Sequence, residues 1–261
     1  MLRGLFEDDY DIQKVRIALS NEITAAKEDI SEQEAIFIKE SVLDRLNAIE
    51  KDMYKHMNKF IENVPIYTGW LKNIKGIGPA LATGLVVLIG TQMSPHIEEV
   101  IIRRGPHKGE IRKLNKGYAT ISKLWRNSGL AVNGDGLAER RTTGESLHFS
   151  PRLKILMWKI GESFVKGGKG YRELYEQFRS DYDNKWKTAK DCGSKGCLSK
   201  KNKKPGMCMD GHRYMAAKRK TVKVFLAHYW MKARELEGLP VENPFIIGRN
   251  GHGHLIDIIE E

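Results

Sequence analysis

Between Ser31 and Pro65 lie about thirty residues with neither proline nor glycine, and the apolar ones keep one spacing throughout. Ile38, Val42, Leu46, Ile49, Met53, Met57 and Phe60 follow one another at intervals of 3 and 4. That is the period of one helix face, so this stretch is committed to a single long helix with an apolar stripe. Ser31-Glu32-Gln33-Glu34 has the form of a capping box at its start, and Pro65 stops it. A stripe of this length is either a coiled-coil seam, which would make a homodimer, or a helix laid along the rest of the chain. The pattern accommodates both.

Helical spacing recurs elsewhere. Residues 10–64 hold two helices, residues 118–125 a short one, and residues 153–165, 171–190 and 212–237 three more. Leu156, Trp158, Ile160 and Phe164 are the expected core of the first of those three. The stretch from Arg103 to Gly117, rich in Gly and Arg, suits an exposed loop or β-hairpin. Strand patterns are otherwise weak. The fold class expected is mainly α, in three parts: a helical coil over 1–64, a helix-hairpin-helix domain over 65–150 and a basic helical domain over 151–261.

Charge divides the chain in the same way. Residues 1–64 carry nine Lys/Arg against fourteen Asp/Glu, which leaves 35 basic and 19 acidic residues, out of totals of 44 and 33, for the remainder. Two blocks concentrate the excess: Arg103 to Arg126, with eight basic residues and one acid, and Lys185 to Lys223, with thirteen and two. Such blocks are the footprint of a polyanion partner, although a basic surface also serves solubility. The longest apolar run, Ala80 to Gly90, is far short of a membrane span, and Met1 to Asp9 turns acidic too early for a secretory signal. A cytoplasmic, nucleoid-associated protein with no membrane partner is the expectation.

The most specific motif is Ile74-Lys75-Gly76-Ile77-Gly78-Pro79-Ala80-Leu81-Ala82. In a helix-hairpin-helix, a Gly-hydrophobic-Gly turn joins two short helices. Gly76 and Gly78 let the backbone approach a phosphate, Ile77 anchors the turn, and the helix starting at Pro79 aims its free N–H groups at the anion. Ala82 permits close helix packing, and Lys72 and Lys75 add charge. Contacts of this kind grip the backbone and read little sequence. Arg103, Arg104, Lys108, Arg112, Lys113, Arg140 and Arg141 are candidates to extend the grip. Copies of this hairpin that mediate only protein contacts are the competing reading. DNA glycosylases place a catalytic Asp about twenty residues after such a hairpin, and Thr91 to Glu99 contains none.

All three cysteines fall close together, ahead of a histidine: Cys192, Cys197, Cys208 and His212. Clustered thiols in a reducing compartment point to a metal, and three thiolates with one imidazole make a closed tetrahedral shell suited to structural Zn²⁺. Such a shell leaves no open position for catalysis; incidental cysteines in a flexible loop are the alternative. Lys203, Lys204, Arg213 and Arg219 would form a basic surface held by this staple, with Lys195, Lys200, Lys201, Lys218 and Lys220 around it. Tyr182, Trp186 and Tyr214 nearby are either core residues or platforms for unpaired bases.

From about residue 40 to 235 the order of elements resembles the C-terminal half of the Piv-like insertion-sequence transposases. The coil of residues 32–64 leads into the hairpin from Ile74 to Leu85, then Ser128-Gly129-Leu130-Ala131-Val132, then the basic stretch from Arg140-Arg141-Thr142-Thr143-Gly144 to Leu153-Lys154. The resemblance implies DNA as the target and a mobile element, virus or related genome as the source. It excludes two parts of the family's machinery. The first 64 residues, helical by pattern, do not fit a RuvC-like domain with four acidic ligands, and Asn133 to Leu137 lacks the family's serine nucleophile. Ser128, Ser146 and Ser150 do not match its position. His148 near Arg140, Arg141 and Glu145, or His252 with His254, specify no mechanism. The reading is a zinc-containing DNA-binding protein without catalytic residues. An active recombinase or structure-specific nuclease, and an RNA-binding ribonucleoprotein component, are the alternatives.

Overall fold

The computed structural model describes residues 2–26, 30–102, 105–132, 144, 147–199, 202–241 and 257–259. It is mainly helical, with one two-stranded sheet among the described residues. Helix α1 (Leu2–Ala25) runs out from the body. The chain returns through α2 (Glu32–Ile38), a π-helical turn (Lys39–Leu43) and α3 (Asp44–Ile61). Ser31 and Glu34 form the capping box at the start of α2, each side chain bonded to the other's backbone amide. Arg16 pairs with Glu50 at 2.8 Å across the two arms. No residue of α1 or α2 is buried, and α3 buries only Met57 and Ile61, at its body end. Of the apolar stripe Met57 is buried, Ile38, Leu46, Met53 and Phe60 are half-buried, and Val42 and Ile49 are exposed.

Next come α4 (Pro65–Gly69), a 3-10 turn (Leu71–Asn73), α5 (Pro79–Leu88) and an antiparallel ribbon of β1 (His96–Ile101) and β2 (Ile111–Lys116). The ribbon pairs His96 with Lys116 and Ile101 with Ile111, which places a β-hairpin around the Gly- and Arg-rich segment. Helix α6 (Ile121–Asn127) precedes α7 (Pro151–Lys166) and α8 (Tyr171–Lys185). Two one-turn helices, α9 (Ala189–Cys192) and α10 (Lys195–Leu198), lead to the long α11 (Asp210–Leu236). Among the described residues no helix is long and apolar enough to cross a membrane.

One hydrophobic core runs from Ile61 to Ala233, so the hairpin segment and the C-terminal helices share their interior. Phe225 of α11 sits at its centre, with ring centroids of Phe164 at 5.1 Å, Tyr171 at 5.3 Å and Trp70 at 5.8 Å. The polar ends of these aromatics are satisfied, as buried polar groups require. Tyr171 Oη bonds His228 Nδ1 at 2.7 Å, and Tyr229 donates to the Gly90 carbonyl at 2.8 Å. Helices α7 and α11 approach closely at Gly161, where a Cβ would lie 2.7 Å from Lys218 Cγ. Lys218 is 3% exposed and forms a short ion pair with Glu162, whose carboxylate also accepts from the Tyr214 hydroxyl at 3.1 Å. The expected inward face of α7 needs one correction: Leu153, Leu156, Met157, Ile160 and Phe164 are buried, but Trp158 is 52% exposed.

The acidic α1 lies over the basic outer side of α7. Glu7 pairs with Arg152 at 3.4 Å, and Lys159 donates to Gln13 Oε1 at 2.6 Å. Burial pushes the carboxyl of Asp9 up and the ammonium of Lys159 down. A cavity of about 160 Å³, lined in part by Tyr10, Leu81 and Lys159, remains between α1, α5 and α7.

Candidate metal centre and nucleic-acid interface

Cys192, Cys197, Cys208 and His212 converge, with one ligand atom from each within 4.8 Å of all the others. At that spacing one ion can touch all four, so the group is a candidate metal site. The segment between α8 and α11 is built to bring them together. Thr188 and Asp191 make a second capping box that starts α9, and Gly193, left-handed at φ +60°, ends it and reverses the chain. An isolated bridge between Thr188 and Met207 closes the loop, with the Ala189 amide on the Gly206 carbonyl at 2.9 Å and the Cys208 amide on the Lys187 carbonyl at 3.2 Å. Asn202, buried and not singled out from the sequence, donates to the carbonyls of Cys197 and Met207 at 2.9 Å each. It holds two of the ligand-bearing segments together.

The ligand atoms crowd one another: Cys197 Sγ lies 3.9 Å from Cys208 Sγ and 3.5 Å from His212 Nδ1, and Cys208 Sγ lies 3.6 Å from the same nitrogen. Burial and the two adjacent thiols push Cys208 up to about 12. Burial acts on Cys197 in the same direction but is outweighed by the Met209 amide and the neighbouring thiols, so its thiol sits below the usual range. Burial also lowers His212, which favours the neutral imidazole that a metal requires. Weak S–H hydrogen bonds are the attraction the thiols offer one another, and a cation bound between them would hold the group far more firmly.

Outside the cluster, the His212 ring stacks on Trp186 at 5.1 Å and 13°, and Trp186 packs on Tyr182 at 4.3 Å. Arg179 and Arg213 bind the start of α11 to the end of α8: Arg213 Nε meets Asp183 at 2.8 Å, Arg179 Nε meets Asp183 at 2.9 Å, and both arginines reach Asp210. Arg213 also donates to the Trp186 carbonyl at 3.3 Å, so this arginine braces the loop that carries the three cysteines. Arg219 donates to the Leu130 and Ala131 carbonyls at 2.8 and 2.7 Å. Tyr214 belongs to the Glu162–Lys218 cluster. Lys203 and Lys204 are exposed in the loop beside Asn202.

At the hairpin, the Ile77 amide bonds the Ile74 carbonyl at 3.0 Å and closes a four-residue turn whose third member, Gly76, has φ +93°. That left-handed conformation is why glycine stands there. The Ser163 hydroxyl donates to the Gly76 carbonyl at 2.6 Å, and a Cβ on Gly76 would sit 3.2 Å from that oxygen and 3.3 Å from the Phe164 ring. Gly78 is the extended N-cap of α5, with Pro79 at its first position. Ile74, Ile77, Ala82 and Leu85 are buried, so the turn is anchored as expected.

The lysines around the turn differ in use. Lys72 faces Glu62 at 3.5 Å in an exposed pair. Lys75 crosses the α7–α8 turn, its ammonium 3.6 Å from where a side chain on Gly168 would begin. Lys166 and Lys169 are exposed in that turn, Lys166-Gly167-Gly168-Lys169-Gly170. These two were not among the sequence candidates, and the lysine–glycine run was the signal available. On the ribbon, Lys108 and Arg112 are exposed and Lys113 pairs with Glu99 at 3.4 Å. Arg103, Arg104, Arg140, Arg141, Glu145, Ser146, His252 and His254 lie outside the described residues. Ser128 is fully buried and donates to the Trp125 carbonyl, and Ser150 caps α7 by accepting from the Leu153 amide. No family model, no curated protein and no solved structure matches the chain.

Proposed function

We propose that this protein binds nucleic acid, with DNA as the target, by gripping the phosphate backbone at the hairpin, and that a structural Zn²⁺ staples its basic C-terminal region. The observation that carries the proposal is the turn at Gly76. Its backbone conformation is open only to glycine, it leads into an α5 N-terminus with no side-chain cap, and it lies edge to edge with the Gly167–Gly168 turn and its lysines. Two glycine turns with three lysines, Lys75, Lys166 and Lys169, make a surface where backbone can approach an oxyanion closely and charge can hold it.

Zinc is favoured by donor chemistry and by spacing. Zn–S bonds of about 2.3 Å and Zn–N bonds of about 2.0–2.1 Å imply tetrahedron edges of roughly 3.8 Å between sulfurs and about 3.5 Å between sulfur and nitrogen. The separations among Cys197, Cys208 and His212 are 3.9, 3.5 and 3.6 Å, and Cys192 lies within 4.8 Å of all three. The ion would hold the α9–α10 segment against α11 and carry no reaction. The order of elements supports a relation to the C-terminal half of the Piv-like transposases. A buried Ser128 and a capping Ser150 fit a protein that holds DNA rather than cutting it. Val42 and Ile49, one heptad apart and exposed, further support self-association through the long arm.

The test is DNA affinity against salt concentration by fluorescence anisotropy. We expect log Kd to change linearly with log salt, and exchanging Lys75 and Lys169 for Ala to reduce that slope by about 2, near one unit per lost phosphate contact. Affinity that barely changes between low and moderate salt sinks the proposal.

A further inference from the structure

We infer that Trp158 is a stacking platform for an unpaired nucleobase, through which the protein engages single-stranded or distorted nucleic acid. This rests on the nucleic-acid reading above and adds the form of the ligand.

The starting point is the contrast among the tryptophans. Trp70, Trp125 and Trp230 are 3%, 9% and 4% exposed, and each indole N–H donates to a backbone carbonyl. Trp186 is half-buried on His212. Trp158 is 52% exposed on the outer face of α7, where its ring contributes little to the core. Leaving so much aromatic surface in water forgoes stabilisation that burial would provide. The ring is nonetheless anchored. Lys218 Nζ lies 5.0 Å from its centroid and is itself fixed by Glu162, which Tyr214 also holds. A cation set against an indole from the protein side orients the ring and leaves its exposed surface for another π-system.

The surroundings select the occupant. Along α7, Lys154 lies one turn before the ring and Lys166 two turns after it, while Arg152 and Lys159 are engaged by Glu7 and Gln13 of α1 and the one acid of the helix, Glu162, by Lys218. Lys154 lies about 6 Å from Trp158 along the axis and Lys166 about 12 Å, at 1.5 Å per residue. An exposed aromatic ring flanked by these lysines, with Ile155 the other exposed large hydrophobic residue of its helix, is a poor protein interface but has the composition of a single-strand platform: a ring for a base, cations for phosphates. Helix α7 also carries Ser163, which holds the Gly76 carbonyl of the hairpin. The two positions are about 7.5 Å apart along the axis and about 140° apart around it, so one rigid helix carries both on different sides.

The experiment titrates the full chain with a thymidine oligonucleotide, a uridine oligonucleotide of equal length and a matched DNA duplex, reading tryptophan fluorescence and anisotropy for wild type, Trp158→Ala and Trp158→Phe. Circular dichroism checks that both variants fold, which their exposed position favours. Wild type should be quenched by the single strands. Trp158→Ala should lose that quenching and bind them about 5- to 100-fold more weakly, with duplex affinity unchanged and Trp158→Phe restoring most of the loss. Loss in both single-strand arms supports recognition of the base whatever the sugar, and loss in one arm supports it with a preference for that nucleotide. Wild-type affinity and quenching in Trp158→Ala for both strands overturns the inference while leaving duplex binding by the hairpin standing. If the duplex does not bind but the single strands still depend on Trp158, the hairpin reading fails and the platform survives.

Discussion

A lysine carried into the interior needs its charge answered, and Lys218 has that from Glu162, Tyr214 and the Trp158 ring. The Lys218 hydrogen bond holds the Glu162 carboxyl below its ordinary range. A carboxylate depressed in the folded state contributes stability above its unfolded pKa and loses it as the pH falls through the folded one. Glu162→Gln should therefore cost about 2–3 kcal/mol near pH 7, because it leaves a buried ammonium without its anion. In urea melts the gap to wild type should close below about pH 4. Gly161 offers a second check beside it. Alanine there gains helix propensity, but its Cβ would press on Lys218 Cγ and Val222 Cγ2 at 2.7 and 3.1 Å. Gly161→Ala should be net destabilising by about 1–2 kcal/mol, whereas Gly4→Ala, with nothing within 4 Å, should not be.

Among the elements, α9 and α10 are each a single turn, too short to persist on propensity alone. Their small apolar cluster, Ala189, Cys197 and Cys208 with Trp186 and Cys192 against it, is separate from the main core. Metal removal should consequently loosen one segment rather than the whole molecule. We expect elemental analysis to find about one zinc per chain. A strong chelator should remove amide-exchange protection over residues 187–209 while the α7 and α11 amides keep theirs. Global unfolding on chelation, or metal-free protein with the segment fully protected, would contradict the staple. The N-terminal arm invites a parallel test, since Ile49 is 46% exposed on α3. If the arm pairs two copies, Ile49→Lys should shift sedimentation to a monomer without lowering stability.

For the whole molecule, the division of charge is the main feature. An acidic arm meets a basic body, and where the two touch, Glu7 and Asp9 of α1 lie against Arg152 and Lys159 of α7. Much of this was legible in the sequence. Spacings of 3 and 4 located the long helices, the box at Ser31 marked a real start, and three cysteines and a histidine within about twenty positions announced the cluster that could hold a metal. Trp158 was legible in principle too. Leu153, Leu156, Met157, Ile160 and Phe164 define the buried face of α7, and Trp158 falls outside its phase; hydrophobic identity suggested core where helical angle did not.

Other features were beyond any local pattern. The meeting of Lys75 with Gly168, the tie from Ser163 to Gly76 and the consumption of Arg213 and Arg219 by internal partners all join residues far apart in the chain. By itself the sequence determined which segments are helical, which residues share a face, and which four side chains can share an ion, because those follow from backbone period and ligand chemistry. Only the tertiary structure decided what covers each face. Burial and pairing depend on which other element arrives there, and a helix's own period carries no record of its neighbour.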